Sequence, residues 1–273
     1  MILSYKNIRL NVELFSDFNP KKKSILFLHG FTGSAKDWKE VAPKVNPLFN
    51  TIALDLIGHG KSSSPVDIKF YKSDEIVKQI LFVTDHLKIE KVILFGYSMG
   101  GRVALSFAAT HPKKISALIL LSTSAGIENE KEKKTRVKSD EQLADFIESH
   151  SIEEFVHSWL EMELFGSLKK LSIEKLQDYK RAKSQNSKTG LANSLRGFGT
   201  GVMPYLGNEI KEIKFPVLLI TGKLDAKFTR INSRLVQQFN NAKHQIIESA
   251  GHNVYVENPS TFISVVNEFL MQF

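Results

Sequence analysis

Short aliphatic and β-branched runs alternate with helical patterns along this chain, and that rhythm restricts the fold more than any other feature. The runs are Ile8 to Glu13, Ser24 to His29, Thr51 to Asp55, Lys91 to Gly96, Ser116 to Leu121, Val217 to Gly222 and His244 to Glu248. Between and after them, Asp37 to Val45, Ser73 to Leu87, Gly100 to Thr110, Thr229 to Phe239 and Pro259 to Phe273 have helical spacing or length. Strands that alternate with helices predict an α/β protein with a mostly parallel central sheet flanked by helices on both faces. A chain of 273 residues, 42% of them apolar, supplies enough material for one sizeable core.

The rhythm breaks after the run near residue 120. From about Ser124 to Tyr205 no strand-like run occurs, and amphipathic charged patterns end in the glycine-rich Gly197-Phe-Gly-Thr-Gly201. An insertion of this size predicts a helical cap, residues 124–204, over the carboxyl edge of a core made of residues 1–123 and 205–273. There is no cysteine, which excludes disulfides and a thiolate nucleophile. Met1 to Leu10 lacks the pattern of an export signal. The apolar runs fall far short of the ~18 residues of a membrane span. The expectation is a cytoplasmic protein without a membrane span, a monomer or homo-oligomer.

A formal charge of +8 raises nucleic-acid binding as a possibility. The charges argue against it: Lys21 to Lys23 lie in a turn, and Glu128 to Lys138 interleaves both signs as a solvated helix face does. An anionic small substrate is the better use of the surplus.

Gly96-Tyr97-Ser98-Met99-Gly100 directly follows one strand run and opens a helix. Glycines at both flanks permit a strained strand-to-helix turn that presents the serine hydroxyl at its apex. A serine needs a base, and the base needs an acceptor that fixes its tautomer. Asp225 lies just past the run ending at Gly222, and His252 just past the one ending at Glu248. The order serine, aspartate, histidine is that of the α/β-hydrolase fold, and it places all three at one sheet edge. His29-Gly-Phe-Thr-Gly33 ends an earlier strand, so the backbone amides of Phe31 and Met99 are candidates for an oxyanion hole. Gly58-His-Gly-Lys-Ser62 looks like the end of a phosphate-binding loop, but Asp55 stands where its first glycine belongs. Neither it nor Gly197 to Gly201 supports a cofactor, and no metal site is expected. Arg102, four positions after Ser98, lies on the same helix face near the pocket mouth. It either meets a substrate carboxylate or pairs with a carboxylate of the cap, and the residues alone leave both open.

The chain resembles the 2-succinyl-6-hydroxy-2,4-cyclohexadiene-1-carboxylate synthases of menaquinone biosynthesis. The resemblance rests on His29 to Ser34 with Asp37-Trp38, on Asp55 to Ser62, and on Gly96-Tyr-Ser-Met-Gly-Gly-Arg102. It continues through Ser124-Ala-Gly126, Arg136 before Ser139-Asp140, Trp159 before Leu164-Phe165, Gly190 to Gly201, Asp225 to Phe228 and Ala250 to Asn253. It implies a lyase that removes pyruvate from a tricarboxylate, 2-succinyl-5-enolpyruvyl-6-hydroxy-3-cyclohexene-1-carboxylate. It further implies that Arg102 and Arg136 hold carboxylates and that Tyr97 and Trp159 wall the pocket. Where the family tends to have an arginine shortly before an asparagine, this chain has Lys183 before Asn186, with Arg181 two residues earlier, and the third contact is one or the other. Met203 stands where the family often has glutamine. Two other readings use the same residues: a serine hydrolase acting on an ester or carbon–carbon bond, and a ligand-binding receptor that does no chemistry.

Overall fold

In the computed structural model, which describes Met1–Phe273, an antiparallel hairpin of β1 (Ile2–Tyr5) and β2 (Ile8–Leu14) precedes the parallel part of the sheet. Then come β3 (Ser24–Leu28), β4 (Asn50–Leu54), α1 (Ser73–His86), β5 (Val92–Tyr97), α2 (Met99–Thr110) and β6 (Ile115–Leu121). The insertion follows with α3 (Glu130–Ser149), α4 (Ile152–Leu160), α5 (Ile173–Lys183) and α6 (Lys188–Phe198). The chain returns to the sheet with β7 (Val217–Gly222), α7 (Ala226–Leu235), β8 (Ala242–Ile247), α8 (Val254–Glu257) and α9 (Pro259–Leu270).

The strand order is β1-β2-β4-β3-β5-β6-β7-β8. β2 meets β4 antiparallel, and every pairing from β4 through to β8 is parallel. β3, β4 and β5 are buried along their whole lengths, as strands covered on both faces must be. Successive side chains point to opposite faces. Leu26, Leu28, Ile52, Leu94 and Leu118 therefore join the core under α1 and α2, whereas Ile25, Phe27, Ala53, Ile93 and Phe95 join the one that holds Trp38 and α9. A third, smaller cluster lies inside the insertion, around Ile147, Phe155, Phe165 and Leu191, and Phe31 of the core packs against it.

Several expected boundaries move for local reasons. Asp37 to Val45 is two 3-10 turns, Ala35–Trp38 and Ala42–Lys44, because Pro43 cannot donate to a continuing helix. α7 starts at Ala226, three residues early, since the Asp225 side chain caps it. β1, a half-exposed edge strand, has no counterpart among the expected runs. No helix is long and apolar enough to cross a membrane.

Candidate active site

Ser98 links β5 to α2 at φ 50 and ψ −107, in a region that a non-glycine residue enters only under constraint. The constraint is packing at the flanks. A Cβ on Gly96 would lie 2.4 Å from the Gly100 carbonyl oxygen, and one on Gly100 would lie 2.2 Å from that of Leu28. The Ser98 N–H donates to the Leu121 carbonyl at 2.8 Å, and Thr123 Oγ1 donates to the Ser98 carbonyl at 2.7 Å.

The other two members arrive from the ends of neighbouring strands. Asp225, directly before α7, is buried; its Oδ1 accepts from the Phe228 N–H at 3.0 Å while its Oδ2 faces His252. A carboxylate accepts only, so His252 Nδ1–H donates to Oδ2 at 2.7 Å. Nε2 is thereby left with its lone pair toward the hydroxyl of Ser98, whose Oγ lies 3.2 Å away. The rings of Tyr97, Phe165 and Phe228 stand 5.3, 6.0 and 4.6 Å from the imidazole. Phe165 belongs to the insertion, which therefore covers the histidine.

The loop after β3 has a rigid backbone. His29 Nε2 accepts from the Leu56 N–H at 3.0 Å, so Nδ1 carries the proton and donates to the Gly30 carbonyl at 2.8 Å. The Gly33 N–H donates to the same oxygen at 2.9 Å. In a trans peptide this turns the Phe31 N–H to the opposite side. The loop abuts the elbow: a Cβ on Gly30 would stand 2.7 Å from the Tyr97 ring and 3.6 Å from Ser98 Cβ. Burial pulls His29 down to a pKa of about 4, which keeps the neutral tautomer. The Met99 amide opens α2, where no preceding helical carbonyl exists to accept from it.

The cationic candidates separate into three environments. Arg102 reaches under the insertion, where Nη1 donates to the Phe198 carbonyl at 2.6 Å and lies 3.6 Å from Met203 Sδ. Its guanidinium sits 5.2 Å over the Phe198 ring. Burial, reinforced by Arg136 and opposed by Asp140, lowers its pKa from 12.5 to about 9, so it remains a cation at neutral pH. No carboxylate lies within ion-pair distance of it; the nearby carboxylate of the insertion, Asp140, is taken by Arg136 at 2.7 Å. The structure thus lacks the internal salt bridge that was one reading of Arg102. Lys183 is buried and paired with Asp37 at 2.6 Å. Arg181 corrects the expectation of a substrate contact: it is exposed on the outer face of α5 and pairs only with Asp178, at 3.6 Å. Trp159 packs edge-on to Phe31 at 5.3 Å and lies 5.4 Å from the Phe165 ring, which in turn faces His252.

Sequence reasoning missed the roles of His29, Asn253, Tyr179 and the Asp37 side chain. Tyr179 and Lys183 share one face of α5 at i,i+4 spacing, a signal that was available. In the loop from Asp55 to Ser62, the carboxylate of Asp55 accepts from the Ala35 and Lys61 amides and from Asn11 Nδ2, at 2.5, 2.7 and 2.8 Å. Those donors are therefore occupied by the protein itself. A mostly apolar groove of about 350 Å³ lined by Leu48, Phe49, Leu270 and Met271, with Lys23 and Asn46, lies at the opposite, amino-terminal edge of the strands.

A serine on a strained strand-to-helix turn, in line with a histidine and a buried carboxylate at the carboxyl edge of a parallel sheet, defines the class of α/β-hydrolases. Residues 23–259 match the family model described as alpha/beta hydrolase fold. A Bacillus subtilis (strain 168) protein provisionally named 2-succinyl-6-hydroxy-2,4-cyclohexadiene-1-carboxylate synthase is 40% identical over 91% of this chain and 90% of its own. The synthase of that name from Enterobacter sp. (strain 638) is 29% identical over 90% and 91%. The solved structure of MenH from S. aureus superposes with a TM-score of 0.90 at 33% identity, covering 96% of this chain and 98% of the other. An enol-lactonase from Burkholderia xenovorans LB400, at 20% identity and TM-score 0.86, shares the fold. The chain belongs to the 2-succinyl-6-hydroxy-2,4-cyclohexadiene-1-carboxylate synthase family of α/β-hydrolases.

Proposed function

We propose that this protein is a carbon–oxygen lyase of menaquinone biosynthesis. It eliminates pyruvate from 2-succinyl-5-enolpyruvyl-6-hydroxy-3-cyclohexene-1-carboxylate to leave 2-succinyl-6-hydroxy-2,4-cyclohexadiene-1-carboxylate, with residues 124–204 as the cap over the site. The observation that carries this reading is Arg102: a partly buried guanidinium from one helical turn past Ser98, met by one neutral carbonyl and no carboxylate. A partly desolvated cation without a counter-ion leaves its charge uncompensated, and a polycarboxylate substrate supplies the missing partner. A neutral ester would not.

The chemistry is an elimination and needs no acyl-enzyme. His252, oriented by Asp225, takes the Ser98 proton as the serine oxygen takes a proton from a ring carbon beside a carbonyl. The electron pair shifts through the ring and breaks the carbon–oxygen bond to the enolpyruvyl group. The proton held on His252 goes out with the enolate, which becomes pyruvate. The Phe31 and Met99 amides face the charge that develops, while Arg102 and Arg136 hold carboxylates.

A pyruvate-coupled assay tests the proposal. The native enzyme should release pyruvate from the triacid, and Ser98→Ala should lower kcat by about 10³-fold or more with the fold retained by circular dichroism. Rapid turnover of neutral nitrophenyl esters with no pyruvate release would instead mark a serine hydrolase.

A further inference from the structure

The cap segment Tyr179 to Asn186 touches the core at the loops that carry pieces of the site. Lys183 Nζ donates to Asp37 Oδ2 at 2.6 Å, with the two side chains only 3% and 9% exposed. The same ammonium sits 4.7 Å over the Tyr179 ring. The Tyr179 hydroxyl accepts from Asn253 Nδ2 at 3.0 Å, directly beside His252. Asn186 Nδ2 donates to the Thr32 carbonyl at 2.7 Å, and its Oδ1 accepts from the Gly60 N–H at 3.0 Å.

Two of these contacts converge on the turn that carries the Phe31 amide. Thr32 has φ 64, a left-handed conformation that a β-branched residue keeps only when its surroundings impose it. Asp37, in the 3-10 turn that follows, packs against it: its Oδ2 lies 2.6 Å from where a Cβ on Gly33 would stand. The cap thus grips the loop at the carbonyl of its strained residue and at the carboxylate packed against its glycine.

We infer that Lys183 and Asn186 are positioning residues, which seat the cap on the Phe31 to Gly33 turn and hold the Phe31 amide where it meets the developing charge, and that Lys183 is not a substrate contact. This rests on the reading of Ser98 and Phe31 given above. An ammonium already met by a carboxylate at 2.6 Å and closed to water has no free face for a second anion. Burial alone would lower the Lys183 pKa, but Asp37 and Tyr179 outweigh it and leave it raised, so the ammonium keeps its charge. Recognition of the substrate's carboxylates then falls to Arg102 and Arg136. Loss of the grip misplaces an oxyanion donor, an effect on the transition state more than on ground-state binding.

The test is a double-mutant cycle on the intact enzyme with the triacid, read as kcat and KM separately. Lys183→Met and Asp37→Asn should each lower kcat tenfold or more with KM within threefold. The charge-free double variant should lose no more than the worse single variant and stay tenfold or more below the native kcat, because the same grip is lost in all three. Asn186→Ala, which removes no charge, should repeat the loss in kcat, and it serves as the test should Lys183→Met fail to fold. In Lys183→Met or Asn186→Ala, amide exchange at Thr32 and Gly33 should quicken tenfold while that of α9 stays unchanged. A tenfold rise in KM at preserved kcat, in both Lys183→Met and the double variant, would make Lys183 a substrate contact and overturn the inference. So would changes under twofold in both constants. If the native enzyme releases no pyruvate, the functional proposal fails by itself; exchange at Thr32 and Gly33 then decides the grip, and an unaltered rate sinks it.

Discussion

Arg102 leaves the first turn of α2 and ends under the cap with one carbonyl, one thioether and one ring as neighbours. Hydrogen bonds to a charged group contribute roughly 1.5 to 3 kcal/mol each, so Arg102→Ala should lower kcat/KM for the triacid by about 10 to 100-fold or more. Steady-state pyruvate release checks it, and native-like efficiency in that variant would remove the anion clamp from the account. Single residues were unevenly legible beforehand. Ser98 directly follows β5, Asp225 and His252 lie in the loops just past β7 and β8, and their chain order is that of the α/β-hydrolase fold. Arg181 and Lys183, two positions apart, point to different sides of α5, and only the docking of that helix says which side faces the core. The inward side belongs to Lys183, where it meets Asp37.

At the scale of elements, the insertion between β6 and β7 meets the core through very close approach of backbones. α6 meets the turn at Gly58, which has φ 82, and a Cβ on Gly190 would fall 2.1 Å from the Gly58 carbonyl oxygen. Gly190→Ala should therefore push α6 outward and destabilise the protein by about 1 to 3 kcal/mol, seen as a lower urea midpoint. An unchanged midpoint would mean that the cap floats on the core. The central strands were readable because each is a buried aliphatic run between turn residues. Two elements were not. β1 is short and half exposed, so its composition carries no period, and the stretch from Ala35 to Lys44 has helix-like spacing but a proline that splits it.

For the molecule as a whole, two buried histidines set the response to acid. Burial lowers His29 to a pKa of about 4 and His59 to about 3, against 6.5 for the exposed group. Below pH 6.5 the unfolded chain binds protons that the folded chain refuses, so stability falls as pH falls, down to about 4 where His29 begins to titrate in the fold. Each pH unit in that window costs about 1.4 kcal/mol per histidine. Urea unfolding at pH 7 and pH 5 should show the loss, and a His59→Leu variant should show a shallower slope. Equal midpoints at the two pH values, for the native chain, would exclude neutral burial of both rings.

What the sequence determined by itself was local: which runs form strands, where the elbow turns, and in what order the serine, aspartate and histidine of the candidate site follow. These depend on spacings of a few residues and on chain order, and both are written in the letters. Tertiary structure decided which charges meet. Asp37 and Lys183 lie 146 positions apart, and Arg102 and the Phe198 carbonyl 96. Neither pairing leaves a local signature, because each exists only once the cap has been laid over the sheet edge and water has been driven from between them.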